Sequence, residues 1–306
     1  MERAKRIIRH EEAIRQKALG HNVTIAFLDS GICEHPDLQG KVIGFRDFVN
    51  KRVKPYDDSG HGTHVCGIAL GTGHKSNGVY SGVAPDSNAI VGKVLNSEGN
   101  GNTEQMLEGI EWLIELNKSI PIHVLNISIG VKAEFNSANE RRLMEAVEKA
   151  WDAGMVVVCA SGNSGPGPMT LSPMAMSKKV ITVGCHDMGY CSKSGYKCED
   201  YSGRGPSPYD IRKPDIVAPG TDIVSCNYRF MSKRMKQKSY YVSKSGTSMS
   251  TPMVSGAIAS LISSGFLGDN ERIKRQIRLS ATDLKENWLK QGWGMLNIEN
   301  LLTKAY

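Results

Sequence analysis

The sequence contains no apolar run that approaches the roughly 20 residues needed for a membrane-spanning helix. It also contains no secretory signal, because residues 1–19, MERAKRIIRHEEAIRQKAL, are charged throughout and lack an apolar core. No membrane partner is therefore expected. These two absences predict a cytoplasmic protein, and the alternative is a secreted mature form from which a leader has been removed.

Features that recognise nucleic acid are absent too. The net charge of +7 is moderate, and the chain has neither a zinc finger nor a basic stripe interleaved with aromatic residues. The composition, 40% hydrophobic and 23% charged, is that of a globular protein. No nucleic-acid partner is expected, and the sequence leaves the oligomeric state open.

A disulfide framework is not indicated by the cysteines, which are seven in number and scattered. Several lie in apolar patterns, which is typical of reduced, buried cysteines. Cys66 is expected to fill apolar space behind a histidine helix. Cys185, Cys191 and Cys198 lie near His186, but their spacing is not that of a common zinc module. Free or redox-active thiols are therefore favoured there over a zinc site.

Near-continuous Val/Ile runs alternate with helical patterns along the chain. Strands are predicted within residues 23–31, 89–95, 122–130, 155–163 and 180–185, and helices within 61–71, 103–117 and 138–154. This alternation predicts an α/β fold in which a mostly parallel sheet is covered by helices on both faces. In such sheets, ligands bind beyond the carboxyl ends of the strands.

The first 20 residues differ from this pattern. Residues 1–20 predict one basic amphipathic helix with Ala4, Ile7, Ile14 and Ala18 on its apolar face, ending at Gly20. No repeat, low-complexity tract or linker divides residues 21–306, which are therefore taken as one domain.

Three residues suited to nucleophilic catalysis follow one another along the chain. Asp29 ends a strand in FLDSG, His61 enters a helix in DDSGHGTHVCG, and Ser248 enters another helix in SGTSMSTP. A serine becomes a nucleophile when a base accepts its proton and a third group orients that base. The order Asp, His, Ser is one of the known orders of a hydrolytic triad.

At these residues the chain resembles the subtilisin family of serine proteases over roughly residues 23–297. Further matching motifs are ASGNSG at 160–165, SGVAPDS at 81–87, KPDIVAPG at 213–220 and GWGMLNI at 292–298. The resemblance implies a three-layer subtilisin-like fold and a peptidase domain over 21–306. It also implies a serine endopeptidase in which Ser248 forms an acyl-enzyme, His61 is the base, Asp29 orients it and Asn163 donates to the oxyanion.

The family binds substrate as an added strand between two edges, which match Gly99-Asn100-Gly101 and Ser128-Ile129-Gly130. Met106 and Ile129 match an apolar pocket, and the alternative is that they are only core residues. The primary pocket matches 128–130, Ala160-Ser161-Gly162 and 170–172. These three segments contain no carboxylate, so a neutral or apolar primary specificity is expected.

The chain departs from the family in two ways. Only some twenty residues precede the first core strand, which favours the intracellular branch that lacks a large prodomain over a cleaved secreted form. Residues 1–20 are expected to pack on the body, and inhibition of the active site by this segment is the alternative. Asp37 matches a calcium ligand of relatives, but the loop GTGHKSNGVYSG at 71–82 has no carboxylate. No cofactor or metal is therefore expected to be required, and calcium binding is the alternative.

Three functional alternatives remain from the sequence. The first is an active endopeptidase that cuts peptide or protein substrates, and the second is a catalytically silent relative that acts as a scaffold. The third is a dedicated processing peptidase. The segment 227–244 carries six basic residues and no acidic one, which indicates either a solvated loop or a preference for acidic residues after the scissile bond. The segment 186–203 matches the same side of the cleft.

Overall fold

The computed structural model describes residues 1–129, 137–192, 194–206, 212–230 and 239–304. Within these ranges, seven strands form one parallel sheet in the order β2-β3-β1-β4-β5-β6-β7. Their bounds are β1 (Thr24–Asp29), β2 (Val42–Asp47), β3 (Asn88–Lys93), β4 (Val124–Ile127), β5 (Val156–Ala160), β6 (Ile181–Cys185) and β7 (Ile216–Ala218). The predicted parallel sheet is therefore present.

The helices in the same ranges are α1 (Glu2–Ile7), α2 (Glu11–Arg15), α3 (His61–Leu70), α4 (Thr103–Leu116), α5 (Ala138–Asp152), α6 (Thr247–Ser263), α7 (Asn270–Ser280), α8 (Trp288–Gln291) and α9 (Ile298–Thr303). A separate antiparallel hairpin consists of β8 (Ile223–Cys226) and β9 (Tyr241–Lys244). None of the helices in the described ranges is long and apolar enough to span a bilayer.

The helices cover the sheet as two packed pairs. α3 packs against α6, which lies along β4 to β7, while α4 packs against α5 and also contacts β1. The central strands are buried at every position because both faces of the sheet are covered; Phe27, Ile90 and Val157, for example, have no exposed surface.

Local signals explain where the longer helices begin. The side chain of Asn102 caps α4 by accepting from the N–H of Gln105, and Ser137 caps α5 by accepting from the N–H of Glu140. In α4, Met106 and Ile110 are four residues apart and both are buried, as expected for an amphipathic helix.

The prediction of one continuous helix over residues 1–20 is wrong. Two short helices form instead, because Arg9 between them adopts a left-handed φ of 56°. Ile14, expected on the apolar face, is 56% exposed. The segment packs on the body of the domain: the N–H of Ile298 donates to the carbonyl of Ile8 at 2.8 Å, and His10 contacts the carbonyl of Val83 at 2.7 Å.

The expectation of reduced cysteines is wrong at two positions. Cys185, at the end of β6, and Cys198 form a disulfide with a Cα–Cα distance of 5.6 Å. The sequence does not reveal this pair because a loop must fold back to join them. The bonded sulfurs leave no thiolate pair for zinc, and Cys191 is free and exposed. Cys66 is fully buried in the core, as predicted.

Candidate active site

The carboxyl ends of the central strands bring Asp29 and His61 together. Asp29 is the last residue of β1, and His61 is the first residue of α3. His61 Nδ1 donates to Asp29 Oδ1 at 2.7 Å, and the aspartate side chain is fully buried. Because Nδ1 carries the donated hydrogen, a neutral imidazole presents Nε2 as a proton acceptor, and 23% of the His61 side chain is exposed.

Asp57 organises the chain segment that precedes His61. Its Oδ1 accepts from the hydroxyl of Ser30 at 2.9 Å and from the N–H groups of Ser59 at 3.1 Å and Gly60 at 2.7 Å. Its Oδ2 accepts from the N–H of Thr63 at 2.9 Å and from its hydroxyl at 2.6 Å. This carboxylate therefore fixes the first turn of α3 relative to the residue after Asp29.

Lys93 ties the same region together from β3. Its ammonium group has no exposed surface and donates to the carbonyls of Ser30 at 2.8 Å and Leu95 at 2.7 Å. It also forms an ion pair with Asp58 at 2.7 Å. Buried charges are stable when paired and hydrogen-bonded, as here.

The sequence interpretation missed the roles of Asp57 and Lys93. The signal available for Lys93 was a lysine at the end of an otherwise apolar strand, which must find a partner when it is buried. For Asp57, the paired carboxylates of DDSG indicate only a turn. Their role depends on β1, which is distant in sequence.

Ser248 lies in the first turn of α6. The preceding Gly246 is the N-cap residue, and its φ of 145° lies in the region that favours glycine. The unpaired N–H groups of a helix N-terminus favour negative charge, and this helix is 17 residues long. Ser248 as a whole residue is half-buried.

Asn163 is oriented by the residue that precedes Ser248. Its side-chain carbonyl accepts from the N–H of Thr247 and from the Thr247 hydroxyl, both at 3.0 Å. Since a backbone N–H can only donate, these bonds identify the oxygen, and the Nδ2 hydrogens have no partner among the residues that the structure describes. Asn163 itself is exposed, so its amide can donate to a bound group beside Ser248.

Two of the three segments that match the primary pocket, 160–162 and 170–172, are joined by hydrogen bonds. Ser172 donates its hydroxyl to the carbonyl of Ala160 at 2.8 Å and its N–H to the carbonyl of Ser161 at 2.9 Å. Gly162 follows with a left-handed φ of 97° and accepts from the N–H of Gly203 at 2.8 Å. Hydrogen bonds therefore join residue 172 to residues 160 and 161, and their contact with a substrate side chain stays a prediction.

Of the substrate edges, Ser128 is buried and accepts from the side chain of Asn126 at 2.8 Å. Gly130 lies outside the described residues. Met106 and Ile129 are 1% and 7% exposed and belong to the main hydrophobic core. They therefore pack as core residues, which was the alternative to an apolar substrate pocket. Their contact with substrate stays a prediction.

The other predicted edge, at residues 99–101, is a turn after β3. The side chain of Asn96 accepts from the N–H of Asn100 at 2.9 Å, and the N–H of Gly99 donates to the carbonyl of Asn96 at 3.0 Å. Gly99, Asn100 and Gly101 are exposed, but the N–H groups of Gly99 and Asn100 and the carbonyl of Asn100 are hydrogen-bonded within this turn. Strand addition at this edge stays a prediction.

The residues around Asp37 do not fit the calcium site that the family implies. Asp37 Oδ2 accepts from the hydroxyl of Tyr241 at 2.7 Å, and Oδ1 accepts from the N–H of Lys75 at 3.0 Å. Burial, and then the neighbouring Asp37 carboxylate, raise the pKa of Tyr241, so the phenol stays protonated and donates. Each oxygen of this carboxylate accepts one protein hydrogen bond, and the loop at 71–82 supplies no second carboxylate, whereas Ca²⁺ takes several oxygen ligands including carboxylates.

The side of the cleft expected to receive residues after the cut is partly described. Of the basic residues in 227–244, Arg229 and Lys244 are placed, whereas Lys233, Arg234, Lys236 and Lys238 lie outside the described residues. In 186–203, Asp187 is buried, and Met188 and Tyr196 are exposed.

Comparison with known proteins agrees with this geometry. The subtilase family, Peptidase S8, matches residues 20–295. Serine protease AprX of Bacillus subtilis (strain 168) is 39% identical over 97% of this chain and 69% of AprX. Subtilisin DY of Bacillus licheniformis is 31% identical over 96% of this chain and 95% of that protein.

Among solved structures, Sphericase has a TM-score of 0.75 to this chain and 27% identity, covering 91% of this chain and 92% of Sphericase. The three-layer subtilisin-like α/β fold predicted from the sequence is thereby confirmed. The chain belongs to the subtilase family and is a subtilisin-like serine protease.

Proposed function

We propose that the chain is an endopeptidase in which Asp29, His61 and Ser248 form the catalytic triad. The observation that carries the proposal is the 2.7 Å bond between His61 Nδ1 and Asp29 Oδ1, which leaves Nε2 free as the base. His61 Nε2 accepts the proton of Ser248 as Oγ attacks the peptide carbonyl. Asp29 holds the imidazole in the required tautomer and stabilises the imidazolium that forms.

The oxyanion is stabilised by Asn163 together with the backbone N–H of Ser248. The bonds from Thr247 to the Asn163 carbonyl support this role, because they hold the amide in place before charge develops. Collapse of the tetrahedral intermediate transfers the proton from His61 to the leaving amine and yields the acyl-enzyme. Water, activated by the same histidine, then releases the acid product.

Substrates are peptides or proteins bound in an extended form, and the relatives named above as serine protease or subtilisin support this class. The absence of carboxylates from 128–130, 160–162 and 170–172 supports a neutral or apolar residue before the cut. Whether the enzyme degrades proteins generally or processes one leader is decided by cleavage of a diverse peptide library read by mass spectrometry. The cytoplasmic location stays a prediction, which cell fractionation tests.

The triad is tested by Ser248→Ala. We expect turnover to fall by about 10⁶, which is the loss measured in subtilisin itself rather than a value worked from this structure. Ser264→Ala at the other end of α6 is the matched control and should retain full activity. Activity of Ser248→Ala within about tenfold of wild type would refute the assignment. A folded wild type without hydrolysis or labelling by a fluorophosphonate would favour the scaffold alternative.

A further inference from the structure

A buried carboxylate outside the triad lies beneath the segment that leads to Ser248. Asp187 follows β6, and its side chain has no exposed surface. The guanidinium of Arg3, from the N-terminal helix α1, donates through Nη2 to Asp187 Oδ1 at 2.9 Å. The same Nη2 donates to the carbonyl of Thr221 at 2.6 Å, so one side chain bridges two segments.

Asp187 in turn holds the loop after β7. Its Oδ2 accepts from the N–H of Thr221 at 3.0 Å, and its Oδ1 accepts from the N–H of Gly220 at 3.3 Å. Thr221 is thus fixed at both its N–H and its carbonyl by the pair of Arg3 and Asp187. A buried carboxylate that met only neutral donors would retain a large desolvation cost, which the guanidinium offsets.

The loop after β7 is joined directly to the entry of α6. The N–H of Gly246 donates to the carbonyl of Gly220 at 3.0 Å, and the N–H of Asp222 donates to the hydroxyl of Ser245 at 2.9 Å. Gly246 is the N-cap of α6, two residues before Ser248. A continuous set of hydrogen bonds therefore runs from Arg3 to the nucleophile's helix.

Arg3 is held for this contact by an aromatic ring. Its guanidinium carbon lies 3.9 Å from the centre of the Tyr190 ring, and 29% of the side chain is exposed. Arg6 of the same helix behaves differently, since it is 68% exposed and its ion pair among the described residues is with Glu2 at 3.6 Å. The helix thus offers one arginine in the network and one outside it.

We propose that Arg3 is a positioning residue for Ser248, acting through Asp187 and the Gly220–Gly246 hydrogen bond. This inference rests on the proposed function, because it assigns Ser248 as the nucleophile. The N-terminal segment is then part of the catalytic framework, although it lies outside the triad. Removing the guanidinium lets the loop at 220–222 shift, and the N-cap of α6 shifts with it.

The test compares Arg3→Met, Arg3→Lys, Asp187→Asn and the control Arg6→Met in the full chain. Kinetics are measured with a peptide substrate below the melting onset of every variant. We expect Arg3→Met to lower kcat by about tenfold or more with KM changed less than about twofold, since small displacements of a reacting group cost this much. Fluorophosphonate labelling of Ser248 should slow by the same factor. Arg3→Lys should recover most of the loss, because it keeps a cation beside Asp187.

Hydrogen exchange of residues 246–249 supplies a readout independent of activity. Faster exchange in Arg3→Met, but not in Arg6→Met, supports the connection to Gly246. A melting temperature that falls while kcat and exchange stay at wild-type values would overturn the proposal and leave Arg3 a structural clamp. If Arg3→Met does not fold, Asp187→Asn takes its place with the same expected losses, because it removes the charge that Arg3 pairs with, and Arg3→Lys remains the near-wild-type comparison. A wild type without hydrolysis or labelling refutes the proposed function instead, and the exchange result still decides the connection.

Discussion

Replacing Asp57 with asparagine is expected to loosen the entry to α3, although Asp57 touches neither His61 nor Ser248 in any hydrogen bond described above. The carboxylate is 8% exposed and accepts five hydrogen bonds, three at Oδ1 and two at Oδ2. The amide has the same shape but turns one acceptor oxygen into a donor. The change therefore tests hydrogen bonding and charge rather than packing.

The magnitude follows from which bonds survive. With the amide oxygen placed at Oδ1, the amide nitrogen faces the N–H and hydroxyl of Thr63, and two bonds to a charged acceptor are lost. At about 1.5–3 kcal/mol for each bond to a charged group, the loss lies at about 3–6 kcal/mol. The Thr63 hydroxyl can rotate to accept a hydrogen bond from the amide nitrogen, so we expect the free energy of unfolding to fall by about 3 kcal/mol, the lower end of this range.

Urea unfolding measures this change. Both proteins carry Ser248→Ala, so that self-digestion does not distort the transition, and the free energy of unfolding is obtained by linear extrapolation. Asp152→Asn is the matched control: it removes a carboxylate that is 60% exposed and paired with Lys179, and surface pairs contribute about 0–1 kcal/mol. In the active enzyme, Asp57→Asn should lower kcat, because the first turn of α3 carries His61.

A loss below about 1 kcal/mol, or one equal to that of Asp152→Asn, would refute the reasoning. The segment 57–63 would then be held by its backbone alone. A normal free energy of unfolding with a lowered kcat would show instead that the carboxylate acts on His61 without stabilising the fold.

Four further outcomes are expected. Asn163→Ala should lower turnover by about 10²–10³, as measured for the corresponding donor in subtilisin, and an unchanged rate would place the oxyanion donor elsewhere. Calcium chelation should leave the melting temperature unchanged, and a drop reversed by calcium would reveal a site. Replacing Lys233, Arg234 and Lys236 together with serine should abolish a salt-sensitive preference for peptides with Asp after the cut; its retention would contradict the idea. Burial lowers the pKa of His10 to about 4. The contribution of neutral His10 to the free energy of unfolding is therefore fully present above pH 6.5, and up to about 3 kcal/mol is lost as the pH falls toward 4. Urea unfolding of His10→Gln should show a weaker dependence on pH.

The central strands could be predicted because burial on both faces demands continuous apolar runs, as in β1 and β5. The edge strand β2 could not be predicted in this way. Five of its six residues are half-buried or exposed, and the register shifts between Val42 and Gly44, so its sequence has no regular alternation. The hairpin of β8 and β9 could not be predicted either. Its strands are 15 residues apart at their closest, and the sequence between them contains no glycine or proline that would mark a tight turn.

The candidate site could be predicted at the residues whose chemical type is itself required by the reaction. Asp29, His61 and Ser248 are recognised by their types, their order and their places at strand ends and helix entries. The residues that hold them, such as Asp57, Lys93 and Asp187, are common charged residues in ordinary turns and strand ends. Their roles follow from contacts between segments far apart in sequence, which local patterns do not contain.

The disulfide between Cys185 and Cys198 also acts on the unfolded chain. It joins residues 13 apart and encloses Asp187. In the chain-entropy account, a closed loop of this size reduces the freedom of the denatured ensemble by about 3 kcal/mol at 25 °C. Because thiols stay reduced in a glutathione-rich compartment, this contribution exists only where the surroundings are oxidising. The chain thus has two denatured reference states, one with this cross-link and one without it.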